Sequence, residues 1–262
     1  MGFAEGGGVD DLSAGLVTPT MFGFLMVLFR ASALCSVAPL LGAKTVPVRL
    51  RVALSVVLSY AAFAGAGFPL FAGTTDLPAI VGGAVRETLV GLSAGLAARF
   101  ALEAVVAAGQ LVAATVGLSF GASVDPLHGA ETAAVGELLS MMALGAMLAN
   151  GMHRDLVAWL CRSVIGLPPG AHLDFGPLAG AVIAHALSAV ALAVRLAFPV
   201  MAAVTFGQVA LGVVGRTAPQ LNISSVGFSI TILAGGAALY MTAPTIAEIA
   251  ARAASAALSG GG

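Results

Sequence analysis

Charge is what this chain lacks most. Of its 262 residues only 9% are Asp, Glu, Lys or Arg, where a soluble domain carries about 25%. Lys44 is the only lysine; the other basic residues are arginines. With 59% hydrophobic residues and a mean hydropathy of +1.04, this composition excludes an ordinary water-soluble domain and points to an integral membrane protein. A net charge of −1 also leaves no basic surface with which to neutralise nucleic-acid phosphates. Cysteine is nearly absent. Cys35 and Cys161 lie far apart, with no CxxC or Cys/His cluster, and read as small buried packing residues. The opening MGFAEGGGVDDLSAG is acidic and glycine-rich. It lacks the basic start of a secretory signal, so the first apolar run is expected to stay as a spanning helix.

The signatures of chemistry are missing too. There is no Walker loop, dinucleotide fingerprint or pair of intramembrane aspartates. His128, His153, His172 and His185 are scattered, without partners at metal-ligand spacing. Gly117-Leu-Ser-Phe-Gly121 superficially matches Gly-x-Ser-x-Gly. That motif needs a strand–turn–helix elbow with acid and histidine partners, whereas here it follows an apolar helical run. Neither catalysis nor a cofactor or metal is expected, and energy for any transport must come from other proteins.

What the chain does have is apolar length. Uncharged or nearly uncharged runs cover residues 12–29 (continuing past Arg30 to Ala43), 52–75, 104–124, 175–194, 196–215 and 217–247, with a shorter one at 138–153. A helix needs about 20 apolar residues to cross a bilayer core. No period-two alternation suggests a barrel. The expectation is an all-α membrane protein of six or seven membrane-length helices, many broken. Turn chemistry separates them: AKTVPVRLR (43–51), AGTTDLP (72–78), GLPPGAHLDFGP (166–177) and GRTAPQLN (215–222). The positive-inside rule places the 44–51 loop in the cytoplasm and the acidic N-terminus and Asp76 turn outside.

Arg30, Arg86, Glu87, Arg99, Glu103 and Arg195 interrupt apolar sequence with no turn residues beside them. Charge inside a span is costly and faces protein or water. Gly83, Glu87, Gly91, Gly95, Arg99 and Glu103 follow one another at i+4. Gly91-x-x-x-Gly95 permits close helix approach, and Arg99 and Glu103 can pair along one face. Two explanations stand open: an intrahelical pair in an ordinary bundle, or helices packed within a protein assembly, against partner subunits and partly outside lipid.

A central stretch, VGLSFGASVDPLHG (116–129), is too rich in small and turn-forming residues for a good helix and too apolar for a solvated loop. Gly117, Gly121 and Gly129 give it mobility. Leu118, Phe120 and Val124 are its apolar side chains, and Asp125-Pro126 turns the chain. Further on, FGQVALGVVGRTAPQLNISSVGFSI (206–230) ends an apolar helix at Arg216. Pro219 then blocks continuation, and Gln220 and Asn222 can satisfy loop backbone at membrane depth.

The pattern Gly-x-x-x-Arg-Thr-Ala-Pro-Gln-Leu-Asn-Ile, with Arg216, Pro219, Gln220 and Asn222 as matching positions, resembles the signature of the FliR family. These are flagellar export-gate proteins similar to the T component of type III secretion systems. Other segments agree in order: residues 28–55, with Arg30, Pro39, Pro47 and Arg51; residues 116–126; and residues 148–170, with an Asn-Gly-x-His segment, a Ser and a proline turn. Met152, Gly121 and Val164 depart from the usual pattern and touch only the detail of those turns.

The resemblance implies an export-gate subunit of the bacterial inner membrane and flagellar basal body. Residues 1–170 would form a P-like helical portion and residues 177–258 a Q-like helical hairpin. Its partners would be FliP- and FliQ-like subunits, an FlhB-like subunit, other membrane proteins of the export apparatus and unfolded export substrates. Gly117, Leu118, Phe120, Gly121, Val124, Asp125 and Pro126 would form a plug loop in the channel. An injectisome gate is the nearest alternative. A small-molecule secondary transporter is the alternative from another class, since broken helices and Glu87 would suit a substrate site, but no internal repeat is found.

Overall fold

A computed structural model describes residues 10–42, 46–72, 76–117, 134–217 and 223–259. Among these the chain is helical and holds no strand: α1 (Asp10–Val37), α2 (Val48–Gly65), α3 (Leu77–Val116), α4 (Ala134–Ala149), α5 (Met152–Gly166), α6 (Phe175–Thr217) and α7 (Ile223–Ser259). Five of them, α1, α2, α3, α6 and α7, are long and apolar enough to cross a membrane. The architecture is that of an all-α membrane protein. Helices answer the constraint of hydrocarbon, where each backbone N–H and C=O must find its partner within the protein.

The turn residues act where the sequence puts them. Pro47 precedes α2, with ψ 138, and Pro78 occupies the first turn of α3, where its missing N–H is no loss. Gly151, at φ +83, separates α4 from α5. That turn divides the apolar run 138–153, and α4 stops at Ala149. Within the run 104–124, α3 ends at Val116, and residues 118–124 lie outside the described residues. In the other direction, runs 175–194 and 196–215 form one continuous helix of 43 residues. Arg195 divides them in sequence, but arginine is a good helix former and no turn residue stands beside it.

The charges without turn residues therefore lie inside helices: Arg30 in α1, Arg86, Glu87, Arg99 and Glu103 in α3, and Arg195 in α6.

The chain divides into two compact units. The first comprises residues 1–98, 153–182 and 257–262. Here α1 contributes Met26, Val27, Arg30, Ala31, Leu34 and Cys35 to the buried core. The α2 end folds back through Gly67 (φ +78) and Phe68, whose N–H donates to the Phe63 carbonyl at 3.0 Å. Phe63 meets Phe24 and Phe68 edge-on, with ring centroids 5.7 and 5.6 Å away. Aromatic packing thus fixes this turn against α1.

Gly91 sets the approach of α3 to α1. A Cβ there would collide with the Arg30 carbonyl, and one at Gly95 would stand 3.2 Å from the Leu34 carbonyl. The close approach expected of this pair is present, and α1 of the same chain occupies the face. A contact with a partner subunit through Gly91 and Gly95 is therefore corrected to an internal one: two backbones already fill the space.

The second unit comprises residues 99–152 and 183–256. Small residues again let helices meet. A Cβ at Gly136 of α4 would lie 3.0 Å from the Val106 carbonyl of α3, and one at Gly235 of α7 would collide with Val116 and press on Val204 at 3.3 Å. Gln208 of α6 donates to the Thr115 carbonyl at 3.3 Å.

Gly91→Leu is expected to lower the stability of the detergent-solubilised chain by ~1–3 kcal/mol or more through overpacking. Gly180→Leu, at a glycine with open space around it, is expected to change little. Comparing the two midpoints of thermal unfolding checks this; equal midpoints would count against the close α1–α3 approach.

Candidate functional site

The first unit is organised around one buried guanidinium. Arg30, in the middle of α1, is 0% exposed, and Glu87 of α3 is 3% exposed. The Nε of Arg30 donates to Glu87 Oε2 at 2.6 Å, and its Nη2 lies 2.6 Å from the same oxygen. Nη1 donates to Ser163 Oγ of α5 at 3.1 Å, and Nη2 to the Leu167 carbonyl just past α5 at 2.9 Å. The other carboxylate oxygen of Glu87, Oε1, accepts the Gly170 N–H at 3.3 Å. Ser163 hands its own proton to the Leu160 carbonyl at 2.8 Å. Nearby, the Ala72 N–H donates to the Pro169 carbonyl at 3.0 Å.

Each partner has a local reason for its place. The α1–α3 contact at Gly91 brings the two helices close enough for a short ion pair. The Leu167-Pro168-Pro169-Gly170 turn ends α5 and leaves free carbonyls and N–H groups at the chain's surface of contact with α1 and α3. Gly170 takes φ +80, which suits glycine. Among the described residues no buried side-chain nitrogen or oxygen lacks a partner. A buried charge pair is tolerated only when its remaining donors and acceptors are satisfied in this way. Chemically the cluster is saturated: the guanidinium binds inward, and neither carboxylate oxygen is open to a ligand.

The other residues singled out in the sequence fall as follows. Arg99 and Glu103 pair at 3.1 Å along α3, at 44% and 48% side-chain exposure. Such an exposed i,i+4 pair contributes little stability, about 0.3–0.5 kcal/mol. Glu87, Gly91 and Gly95 face α1. Gly117 ends α3 at φ +88, its N–H donating to the Ala114 carbonyl at 3.2 Å. Leu118, Phe120, Gly121, Val124, Asp125 and Pro126 lie outside the described residues. Arg216 stands exposed in the last turn of α6. Pro219, Gln220 and Asn222 lie outside the described residues. Among the described residues no group of three or more His, Cys, Asp or Glu is arranged to hold a metal.

Sequence reasoning flagged Arg30 and Glu87 separately and did not join them. They are 57 residues apart, and Ser163 is 133 from Arg30. The available signal was opposite charge: each is a lone charge in an apolar run, and such charges seek one another.

Glu87→Gln is expected to destabilise the chain by ~3–5 kcal/mol, because it strands a buried guanidinium. The pair Arg30→Met with Glu87→Met is expected to cost less than the sum of the single changes. A double-mutant cycle on the unfolding midpoint, or on the amount of chain retained in membranes, measures the difference; strict additivity would show that the two groups act independently.

Comparison with known proteins bears on what this frame belongs to. Residues 21–257 match the family described as bacterial export proteins, family 1. The flagellar biosynthetic protein FliR of Escherichia coli (strain K12) is 30% identical over 225 residues, 84% of each chain. FliR of Bacillus subtilis (strain 168) is 32% identical over 212 residues, 80% of this chain and 81% of the relative. FliR of Pectobacterium carotovorum subsp. carotovorum is 29% identical over 237 residues, 87% and 86%. Extending across the buried node and nearly all the long helices, these likenesses place the chain in bacterial export proteins, family 1, among the FliR proteins.

Proposed function

We propose that this protein is a structural subunit of the membrane gate of the flagellar protein-export apparatus, and that it carries no catalytic activity of its own. The observation that carries the reading is the match over residues 21–257, together with relatives named as flagellar biosynthetic proteins along most of their length. Those names favour the flagellar over the injectisome version. The secondary-transporter alternative loses its best residue. Glu87, the buried acid suited to a substrate or coupling ion, is bound by Arg30 and by Gly170.

In this reading residues 1–170 are the P-like portion and residues 177–258 the Q-like hairpin. Partners are FliP- and FliQ-like subunits, an FlhB-like subunit and other membrane proteins of the apparatus, in the bacterial inner membrane at the flagellar basal body. Unfolded export substrates pass through the channel they share. Residues 117–126 form a plug. A resting export channel must stop ions yet admit an unfolded chain, and an apolar loop hinged on glycine can dewet a narrow pore and then swing aside. The left-handed turn at Gly117 supports this reading by ending α3 at the start of that loop. Arg216, Pro219, Gln220 and Asn222 hold the turn between α6 and α7.

Deleting residues 118–124 is expected to make cells leak ions or small solutes while export continues. Membrane conductance and secretion of flagellar subunits are measured together. Normal assembly with unchanged conductance would mean that the loop is only a connection. Separately, Gln220→Ala and Asn222→Ala are expected to reduce the P- and Q-like subunits that co-purify in mild detergent, since each leaves backbone groups unpaired at ~1–3 kcal/mol. A variant that assembles fully but cannot export would point instead to direct contact with substrate.

A further inference from the structure

Helix α6 is too long for the bilayer it is apolar enough to cross. Its 43 residues rise ~65 Å, about twice the ~30 Å of a hydrocarbon core. Arg195 divides it into two apolar runs of equal length, 175–194 and 196–215. By length alone either could span, and in both cases Arg195 would fall at a membrane surface. The second unit contains the means of choosing.

Gly235 of α7 meets Val116 of α3 and Val204 of α6, so these three positions share one level. From it, α6 continues to Thr217 and α7 back to Ile223, and the described side chains there are exposed or half-exposed, with Phe206, Val209, Val213 and Leu233 strongly exposed. In the opposite direction burial returns on all three helices: Ala193 to Val204 in α6, Ala243 to Ala254 in α7, and Ala101 to Val116 in α3. The three therefore run side by side away from the tip.

Helical rise then gives depths below the shared level. Tyr240 lies ~8 Å down and Arg195 ~14 Å down. Glu103 of α3 and Glu248 of α7 both lie ~20 Å down, and their partners Arg99 and Arg252 ~26 Å down. Pro199 of α6 and Pro244 of α7 lie within these stretches, so the figures are distances along each helix; counted that way, the two ion pairs lie equally far from the shared level. Both are open: Arg99 and Glu103 at 44% and 48% side-chain exposure, Arg252 and Glu248 at 75% and 61%. Exposed ion pairs do not belong in hydrocarbon. The same depth on α6 is that of residues 187–191, which excludes the lower run from the lipid core. From Arg195 to Arg216 the helix rises ~32 Å, one hydrocarbon thickness bounded by an exposed arginine at each end.

We infer that the hydrocarbon of the bilayer covers the tip side of the α6–α7 hairpin, residues 196–215 and 223–244, and that Arg195 and Arg216 bind phospholipid phosphates at its two faces. Residues 183–194 of α6, equally apolar, stand outside the hydrocarbon. The occupant of the exposed apolar surface around Phe206, Val209, Val213 and Leu233 is lipid. The inference depends on depth within the second unit and stands whether or not the export-gate reading does.

The test uses the full chain with Cys35→Ala and Cys161→Ala, reconstituted in phosphatidylcholine–phosphatidylglycerol vesicles. Single cysteines replace Val190, Phe206 or Leu233 and carry a bimane fluorophore. Lipids brominated on the acyl chain are expected to quench the probes at 206 and 233, while iodide in the buffer quenches the probe at 190. Equal or stronger lipid quenching at 190, or none at 206 and 233, overturns the placement; the latter result would assign the hairpin to a protein neighbour or to water. Arg195→Leu, which joins the two apolar runs, is expected to let the helix slide so that lipid quenching at 190 rises, whereas Arg195→Lys leaves it low. No change at 190 in Arg195→Leu would show that Arg195 does not set the membrane boundary. Exchanging phosphatidylglycerol for further phosphatidylcholine tests the headgroup: both carry the phosphate, so the boundary is expected to stay, and its loss would mean that Arg195 needs net anionic lipid rather than the phosphate common to both.

Discussion

The first unit depends on a single constraint: a charge in a membrane-length helix must be answered from within the protein. Arg30 is fully buried in α1, and five bonds on two groups answer it and Glu87. Coulomb attraction alone does not compensate for removing both ions from water; the added hydroxyl, carbonyl and amide partners decide whether the pair is tolerable. The geometry of the unit follows from this. α1 and α3 must touch, which requires glycine at position 91. The end of α5 must reach them, which requires a tight turn through two prolines and Gly170. The packing glycines and the proline turn, unrelated in sequence, are conditions for the same ion pair.

The second unit resolves its charges differently. Arg99–Glu103 and Glu248–Arg252 pair within their own helices and remain open. These are weak interactions by energy, yet informative by position, because they show where the surroundings of α3 and α7 are polar. The same residue types thus act as ties in one unit and as depth marks in the other, and burial alone separates the two roles.

Much of the frame was legible in the sequence. Composition settled the membrane class, turn chemistry placed the breaks before α2 and α3 and after α5, and Gly91 and Gly95 announced a close approach. Periodicity could not say what approached: the i+4 row on α3 is the same whether α1 or another subunit fills it. Counting charges as breaks also failed at Arg195, because arginine favours a helix interior and only its solvation, not its backbone, objects to lipid. The Arg30 cluster was beyond reach for a different reason. Its members come from three distant segments, and one acceptor is a main-chain carbonyl, which leaves no mark in the residue pattern. The segments after Gly117 and Thr217, read as a loop and a turn and joined to a family by resemblance, lie outside the described residues.

The order of synthesis gives the Arg30 cluster a further meaning. A chain made from its N-terminus presents Arg30 first, Glu87 next, and Ser163, Leu167 and Gly170 only after many more residues. An α1–α3 pair can form meanwhile, but Nη1 of Arg30 and Oε1 of Glu87 then lack their native protein partners, and Nη2 lacks one of its two. Such a half-answered charge keeps drawing water or other polar groups into the helix pair until the α5 turn docks. The N-terminal helices therefore hold the cluster's full set of partners only when the segment that follows α5 has emerged and closed over them.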